Sequence, residues 1–315
     1  MSTTSDSPAV TRAHEALRAG DPDAALRHLQ DGVRAAPANA KLRVFLFQLL
    51  CVHGQWQRAI NQLQVCGELD ASTLAMVNTY REAIHCEALR EAVWAGRTTP
   101  VVFGQPEAWV AWLVEALQAD ARGDVATATR LRNAAFDAAT PTPGSLNGEP
   151  FDWIADADSR LGPVLEAVIN GRYCWVPFSA LTRVVIEAPS DLRDLVWAAA
   201  QLEFNNGGVS VALLPCRYPG TVEEGDATLL LARGTDWREI GATHAAGPVT
   251  TTTDAGSDLG GAPAAASTLP PLQYRGLGQR VLSTSAAECG LLEVREIVLA
   301  QPAAEPSTDD QAPAA

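Results

Sequence analysis

The pattern of apolar positions in the first half of the chain is helical. Between positions 42 and 50, large apolar residues recur at spacings of three and four, which is typical of an amphipathic helix: Leu42, Phe45, Leu46, Leu49 and Leu50. Ile60 and Leu63 continue the apolar stripe on the next segment, beyond Gly54. The pattern therefore predicts a pair of helices joined by a tight turn.

A short motif recurs along this half of the chain. Glycine, then aspartate or glutamine, then alanine four residues further on begins at Gly20, Gly54 and Gly123. The first two copies are offset by 34 residues, the length of a tetratricopeptide repeat, and a degenerate helix pair over about 71–104 would fill the interval before the third. Residues 1–140 are predicted to form a tetratricopeptide-like helical array, with an ordinary antiparallel helical bundle as the alternative.

Such an array has a functional consequence. Stacked helix pairs curve and leave an inner groove lined by the first helix of each pair, and grooves of this kind hold peptides or helices. The repeat register places eight residues toward this inner surface, as candidates for partner binding: His14, Leu17, Val44, Gln48, Cys51, Leu113, Leu117 and Asp120.

The second half of the chain has a different pattern. Prolines and glycines break the periodicity at 140–150, where we place a domain boundary. A helix is predicted through about Ile169, ended by Asn170 and Gly171 as a C-cap and followed by an aromatic strand. Further strands are predicted at 183–187, at 201–204 and 209–214 around a hairpin turn, and as a pair at 280–284 and 291–299. Residues 150–300 should form a mainly β domain with one or two helices, so the fold class is α+β.

Two stretches have the composition of disordered chain. Residues 242–271 contain repeated threonine, glycine, alanine and proline and are predicted to form a disordered loop, since the sequence on both sides looks ordered. Residues 301–315 have a similar composition and are predicted to be a disordered tail. Neither stretch carries residues that suggest chemistry.

Charge and composition narrow the class of protein. The net charge of -14 opposes binding to nucleic acid or to anionic lipid. Lys41 is the only lysine, and no long apolar run or signal peptide is present, so we expect a cytoplasmic protein without membrane attachment. The six cysteines lack metal-ligand spacing, and we expect reduced thiols, no metal and no cofactor.

Acidic residues offer the only candidate for catalysis. Asp156, Asp158 and Arg160 could form the carboxylate pair and cation of a hydrolase or of a metal-dependent enzyme. Helix capping explains the same residues with fewer assumptions, and it also explains Asp191 and Asp194. The histidines lie outside the predicted β core, and the sequence has no G-x-S-x-G motif and no phosphate-binding loop. We therefore predict that the protein is not an enzyme.

Several strings in the second half resemble the ImpE family. They are WIADADSRLGPVLEAVINGRYCWVPF, PSDLRDLVW, LLPCRYPG, GLGQRVL and LLEVREI, in this order along the chain. The resemblance implies a non-catalytic accessory protein of the type VI secretion system. It further implies binding to the N-terminal helix of the small sheath subunit TssB, and an effect on how the ATPase ClpV handles the sheath.

The β half itself offers a second candidate surface for a partner. Aromatic residues and arginines dominate protein interfaces, and this half is rich in both. The candidates for partner binding here are Trp153, Trp175, Arg217 and Tyr218.

Overall fold

The computed structural model describes residues 7–104, 107–241 and 272–300. The two stretches predicted to be disordered, 242–271 and 301–315, lie outside the described residues. Seven helices occupy the first half: α1 (Pro8–Arg18), α2 (Pro22–Ala35), α3 (Ala40–Val52), α4 (Trp56–Leu69), α5 (Leu74–Trp94), α6 (Ala108–Ala121) and α7 (Val125–Ala138). Three pairs pack side by side, namely α1 with α2, α3 with α4, and α6 with α7.

The recurring motif forms the turn inside each of these pairs. Gly20, Gly54 and Gly123 have φ angles of 80°, 64° and 76°, a conformation that glycine adopts without strain. In the first and third copies the next residue caps the second helix: Asp21 accepts a hydrogen bond from the backbone N–H of Ala24, and Asp124 accepts one from that of Thr127. The prediction of a tetratricopeptide-like array is confirmed for these pairs.

The predicted helix pair at 71–104 is wrong. The segment instead forms one helix of 21 residues, α5, followed by a turn and the short strand β1 (Val101–Val102). The helix contacts α4 and also the β-sheet, so the sheet takes the place of a repeat partner. Buried residues are consequently distributed around α5, which removes the one-sided pattern of a repeat helix.

The second half contains most of a nine-stranded sheet with the order β1-β6-β5-β9-β8-β7-β14-β2-β3. Adjacent strands are antiparallel except β1 and β6, which are parallel. The bounds are β2 (Gly144–Leu146), β3 (Glu149–Phe151), β5 (Val164–Ile169), β6 (Arg172–Pro177), β7 (Leu181–Ile186), β8 (Trp197–Phe204), β9 (Val209–Pro215) and β14 (Glu296–Leu299). The segment predicted as a domain boundary thus supplies β2 and β3 at one edge of the sheet.

The remaining elements lie beside this sheet. A three-stranded sheet contains β4 (Ile154–Asp156), β12 (Val281–Thr284) and β13 (Glu288–Gly290), and a hairpin-like pair contains β10 (Thr235–Glu239) and β11 (Tyr274–Gly278). Two short helices, α8 (Thr221–Glu224) and α9 (Ala227–Leu230), follow β9. The α+β class is confirmed, as is the prediction of a mainly β second half with one or two helices.

The helix predicted through Ile169 is wrong, because this segment forms β4, a turn and β5. All six residues of β5 are buried, so the alternation that marks a half-exposed strand is absent from its sequence. Asn170 and Gly171 have φ angles of 50° and 69° and connect β5 to β6, since Ile169 pairs with Arg172. They form a two-residue hairpin turn instead of a helix C-cap.

The hairpin predicted around 205–208 is confirmed by β8 and β9, the aromatic strand predicted after Gly171 by β6, and the strand at 183–187 by β7. The pairing predicted between 280–284 and 291–299 is wrong. β12 pairs with β4 and β13, whereas β14 pairs with β7 and β2 in the large sheet. The segment between them contains a short 3-10 helix, Leu291–Glu293, which redirects the chain.

Two hydrophobic cores cover the two faces of the large sheet. One core joins the helices to one sheet face and includes Leu50 and Ala83 from the helices and Trp175, Trp197 and Leu213 from the strands. The other lies on the opposite face, between the large sheet and the segments around β4 and β12. The helical array is therefore packed directly on the sheet, and its grooves are closed on one side by residues of the β half.

Candidate partner-binding site

A groove opens where the helical array meets the sheet, and we call it the α1–α3 groove. Its helical wall contains His14 and Leu17 of α1 and Val44 and Gln48 of α3, and its other wall is the segment 189–195 between β7 and β8. The groove has a volume of about 470 Å³. It continues past Leu17 into a space of about 400 Å³ beside Arg233. The structure thus brings four of the eight groove candidates together.

The floor of the α1–α3 groove is apolar. Val44 and Phe45 of α3 and Leu192 and Leu195 of the opposite wall are all partly exposed there. The ring of His14 lies against that of Phe45, with centroids 4.6 Å apart. Because α3 buries Leu42, Leu46, Leu49 and Leu50 on its other side, it is apolar around most of its surface, and this arrangement leaves an apolar stripe for a partner.

The opposite wall is held rigidly by its own charges. Asp191 and Asp194 cap the short 3-10 helix Leu192–Leu195 with a reciprocal capping box, as the capping interpretation of these residues predicted. Arg193 forms an ion pair with Asp191, and its guanidinium lies 4.8 Å from the ring centre of Tyr80. The contact between Arg193 and Tyr80 connects this wall to α5, so the wall keeps its shape without a ligand.

Gln48 is the unusual member of the groove. Its side chain is 5% exposed and lines the groove, yet its amide makes no hydrogen bond to any of the residues that the structure describes. Its amide is not a desolvated group, because Arg193 Nε is the one buried side-chain nitrogen or oxygen without a hydrogen bond among the described residues. The unused donors and acceptor of Gln48 therefore face the space that a partner would occupy.

The other groove candidates lie elsewhere. Cys51, Leu113 and Leu117 are at most 2% exposed and pack in the hydrophobic core. Asp120 is engaged by Arg132, whose guanidinium also donates to Gln273. Their positions on the first helices of the repeats are as expected, but α5 and the sheet cover the inner surface there. A role for these four residues in partner binding stays a prediction, which the burial of Cys51, Leu113 and Leu117 and the ion pair of Asp120 do not favour.

The candidates in the β half are mostly interior residues. Trp175, Arg217 and Tyr218 are at most 5% exposed, whereas Trp153 is 40% exposed and borders an apolar cavity of about 400 Å³ next to Phe136. Arg217 donates hydrogen bonds to the carbonyls of Cys51 and Val52 in the last turn of α3. Among these four, Trp153 alone has substantial exposed surface for a partner.

Asp156, Asp158 and Arg160 belong to the interior and do not cap a helix. Asp158 accepts hydrogen bonds from the guanidinium of Arg160 at 2.6 and 2.9 Å and from the backbone N–H of Gly276 at 2.9 Å. Asp156 is paired with Arg280 and accepts from the hydroxyl of Tyr218 at 3.0 Å. The capping interpretation is wrong because no helix follows, and three of the partners, Tyr218, Gly276 and Arg280, come from segments more than 60 positions away.

Glu166 of β5 is the centre of a larger buried network, which we call the Glu166 cluster. Its carboxylate is paired with Arg90 of α5 and with Arg280, and it accepts from the indole of Trp94 at 2.7 Å and from the hydroxyl of Tyr173. Each of these partner side chains is at most 9% exposed. The cluster joins α5 to the sheet in the core. No local pattern in the sequence predicts these contacts.

Burial and charge act in opposite directions on the pKa values of this region. Burial alone would raise the pKa of Glu166, but the positive charges of Arg90 and Arg280 outweigh it and lower the pKa to about 2. Burial raises the pKa of Asp156 to about 6, because desolvation outweighs the charge of Arg280. Across the described ranges no group of three or more His, Cys, Asp or Glu side chains is placed to hold a metal ion.

Comparisons with known proteins agree with this architecture. The model of the family described as ImpE protein matches residues 148–257, and that of the tetratricopeptide repeat matches residues 16–75. A Pseudomonas aeruginosa protein named type VI secretion system accessory component TagJ is 57% identical over 285 residues, which are 90% of each chain. The chain belongs to the ImpE family.

The family fold is also found at lower sequence identity. The crystal structure of protein VPA1032 from Vibrio parahaemolyticus matches with a TM-score of 0.76 and 21% identity, over 93% of this chain and 98% of that one. At this identity the likeness concerns the fold alone, and it extends over the helical array and the sheet together. In the described part of this family member, no helix combines the length and the hydropathy needed to cross a bilayer.

Proposed function

We propose that this ImpE-family chain is a non-catalytic, cytoplasmic accessory component of the type VI secretion system. In this proposal the α1–α3 groove holds the N-terminal helix of the small sheath subunit TssB, and the bound chain modulates how the ATPase ClpV handles the sheath. The observation that carries the proposal is the apolar α1–α3 groove, in which the amide of Gln48 makes no hydrogen bond to a described residue. The name of the 57% identical relative supports the secretion-system assignment.

The groove has the chemistry that helix recognition needs. An amphipathic helix presents apolar residues at positions i, i+3, i+4 and i+7, and the floor formed by Val44, Phe45, Leu192 and Leu195 can bury such a stripe. The alternative of a hydrolase centred on Asp156, Asp158 and Arg160 has less support. These side chains are already engaged with one another, with Arg280 and with backbone groups.

Titration of the TssB helix tests the proposal directly. A peptide with the sequence of the TssB N-terminal helix of the same organism is expected to bind the whole chain with a Kd of about 10 µM or below, measured by calorimetry. Val44→Glu should weaken binding at least tenfold, because the carboxylate would be buried against the apolar stripe. The matched control is Val211→Glu, since Val211 is 75% exposed on β9 outside the groove.

Two results would contradict the proposal. Absence of heat at peptide concentrations of about 100 µM would remove TssB as the partner. Equal loss of affinity in Val44→Glu and Val211→Glu would mean that the helix binds elsewhere. In that case the exposed Trp153 and the cavity beside it become the next surface to test.

Gln48→Met is expected to weaken helix binding while leaving the fold as stable as before, or more stable. Methionine has nearly the same length but no amide, and its introduction breaks no hydrogen bond to a described residue in the free protein. It also removes the hydrogen bonds proposed for the bound state, which should cost about 1 kcal/mol and raise the Kd roughly fivefold. Calorimetry with the TssB peptide and urea denaturation measure the two effects.

The control for this variant is Gln118→Met. Gln118 lies on α6, is partly buried and does not line the α1–α3 groove. Its replacement should leave the affinity unchanged. An unchanged affinity in Gln48→Met as well would mean that the Gln48 amide does not meet the partner.

A further inference from the structure

Three cations line the α1–α3 groove and its continuation. Lys41 lies in the first turn of α3, Arg18 in the last turn of α1, and Arg233 beside Arg18 in the continuation. All three side chains are exposed, and none forms an ion pair with a described residue. Arg233 is held in place by a hydrogen bond of 2.7 Å from its Nη2 to the carbonyl of Leu17.

This concentration of positive charge contrasts with the rest of the chain. The net charge is -14, and the 23 basic residues are outnumbered by 37 acidic ones. Among the described residues, Asp191 is the single carboxylate in the lining of the groove and its continuation, and it is already paired with Arg193. The lining is therefore locally positive on an acidic protein, a distribution that attracts and orients a negatively charged partner.

The apolar floor determines which class of negatively charged partner can bind in the groove. Phosphate backbones carry their charges on a polar surface and have no apolar stripe to bury between Val44 and Leu192. An amphipathic helix has both features when Asp or Glu residues flank its apolar face. Because Lys41 begins α3 and Arg18 ends α1, and alternate helices of such arrays run in the same direction, the cations lie toward opposite ends of the groove.

We propose that the α1–α3 groove selects acidic amphipathic helices, with carboxylates of the partner meeting Lys41 at one end and Arg18 and Arg233 at the other. This inference rests on the proposed function, in which the groove holds a helix, and it adds the rule by which that helix is chosen. Rim charges of this kind act mainly on association rate and on the rejection of wrong partners.

Three synthetic helical peptides test the selection. They share one apolar stripe and carry Glu, Gln or Lys at all flanking positions, and calorimetry measures their binding to the whole chain. At about 50 mM salt, where screening lengths exceed 10 Å, the Glu peptide is expected to bind at least tenfold more tightly than the Lys peptide. The difference should shrink at about 1 M salt.

A charge-reversal variant supplies the structural control. Arg18→Glu combined with Lys41→Glu should remove or invert the preference for the Glu peptide, and both residues are exposed, so the fold should persist. The matched control combines Arg58→Glu with Arg81→Glu, which makes the same change in net charge on exposed faces of α4 and α5. This control should keep the original preference, and circular dichroism checks that both variants are folded.

The outcomes separate this inference from the proposed function. If the TssB helix binds but the three peptides bind equally, or do not bind at all, selection by charge is overturned and the groove assignment stands. If the TssB helix does not bind and the Glu peptide does, the selection rule stands and the partner is wrong. Loss of the preference in the Arg58 and Arg81 control would also overturn the inference, because net charge alone would then explain it.

Discussion

Replacing Glu166 by glutamine is expected to lower the free energy of unfolding by about 3–5 kcal/mol. Glu166 is 1% exposed and neutralises two buried guanidinium groups, those of Arg90 and Arg280. An amide has one acceptor in place of a carboxylate and would turn an N–H donor toward other donors. The variant would leave buried cations without sufficient negative charge, which costs more than the original pair contributes.

Chemical denaturation of the whole chain measures this effect. Glu115→Gln makes the same change on an exposed position of α6 and should alter stability by less than about 0.5 kcal/mol. A loss below about 1 kcal/mol in Glu166→Gln would mean that water or rearrangement compensates the arginines.

The dependence of folding stability on pH below neutrality measures the contribution of the same carboxylate independently. The pKa of Glu166 is lowered from 4.5 to about 2 in the folded chain, so its contribution is complete above pH 4.5 and is lost as the pH falls toward 2. Glu166→Gln should remove this part of the acid destabilisation.

The Glu166 cluster also explains where sequence reasoning failed. Arg280 lies 114 positions from Glu166 and 124 from Asp156, so no local pattern connects them. Asp156 and Asp158 looked like helix caps because carboxylates before an apolar run have that role in many helices. The run that follows is a strand buried on both faces, and continuous burial hides the period of two on which strand prediction relies.

The α1–α3 groove was predictable on one wall only. The repeat period alone brought His14, Leu17, Val44 and Gln48 to one surface, because first helices of successive repeats line the same side. Lys41 and Phe45 were missed, although Lys41 lies three positions before Val44 and Phe45 three before Gln48, which places them on the same face of α3. The wall at 189–195 comes from the β half, and only the three-dimensional packing places it there.

The same limit applies to the candidates that became interior residues. The repeat register predicts Leu113 and Leu117 on the inner side of the array, and it assumes that this side is open along its whole length. Helix α5 and the sheet fill much of that side, so most of the surface that a free array would offer to partners is already used within the chain. The open remainder lies at the α1–α3 groove.

The connection between array and sheet gives the second large effect. Arg217→Met is expected to lower the free energy of unfolding by about 3 kcal/mol, because several buried carbonyls lose their donors together. Nη1 of Arg217 donates to the carbonyls of Val52 and Leu230 at 2.7 and 2.8 Å, and Nη2 donates to that of Cys51 at 3.3 Å. These contacts cap the C-terminus of α3, where a cation also favours the helix dipole.

Burial determines how much this capping arginine matters. It lowers the pKa of Arg217 to about 10, although the charge of Glu87 acts in the opposite direction, so the side chain remains a cation at neutral pH. Arg295 provides a matched control, since it also donates to two backbone carbonyls, those of Val294 and Leu292, but is exposed. Arg295→Met should cost less than about 1 kcal/mol, because water replaces its contacts.

Hydrogen exchange distinguishes a local connection from general packing. In Arg217→Met the amides in the last turn of α3 and in α9 should exchange faster, whereas those of β5 and β6 should retain their protection. Faster amide exchange in all elements alike would contradict a local capping role. Since α3 also forms one wall of the α1–α3 groove, the function proposed for this groove gives a further expected result, weaker binding of the TssB helix by Arg217→Met. In that proposal the stability of the array and the shape of the groove depend on the same arginine of the β half.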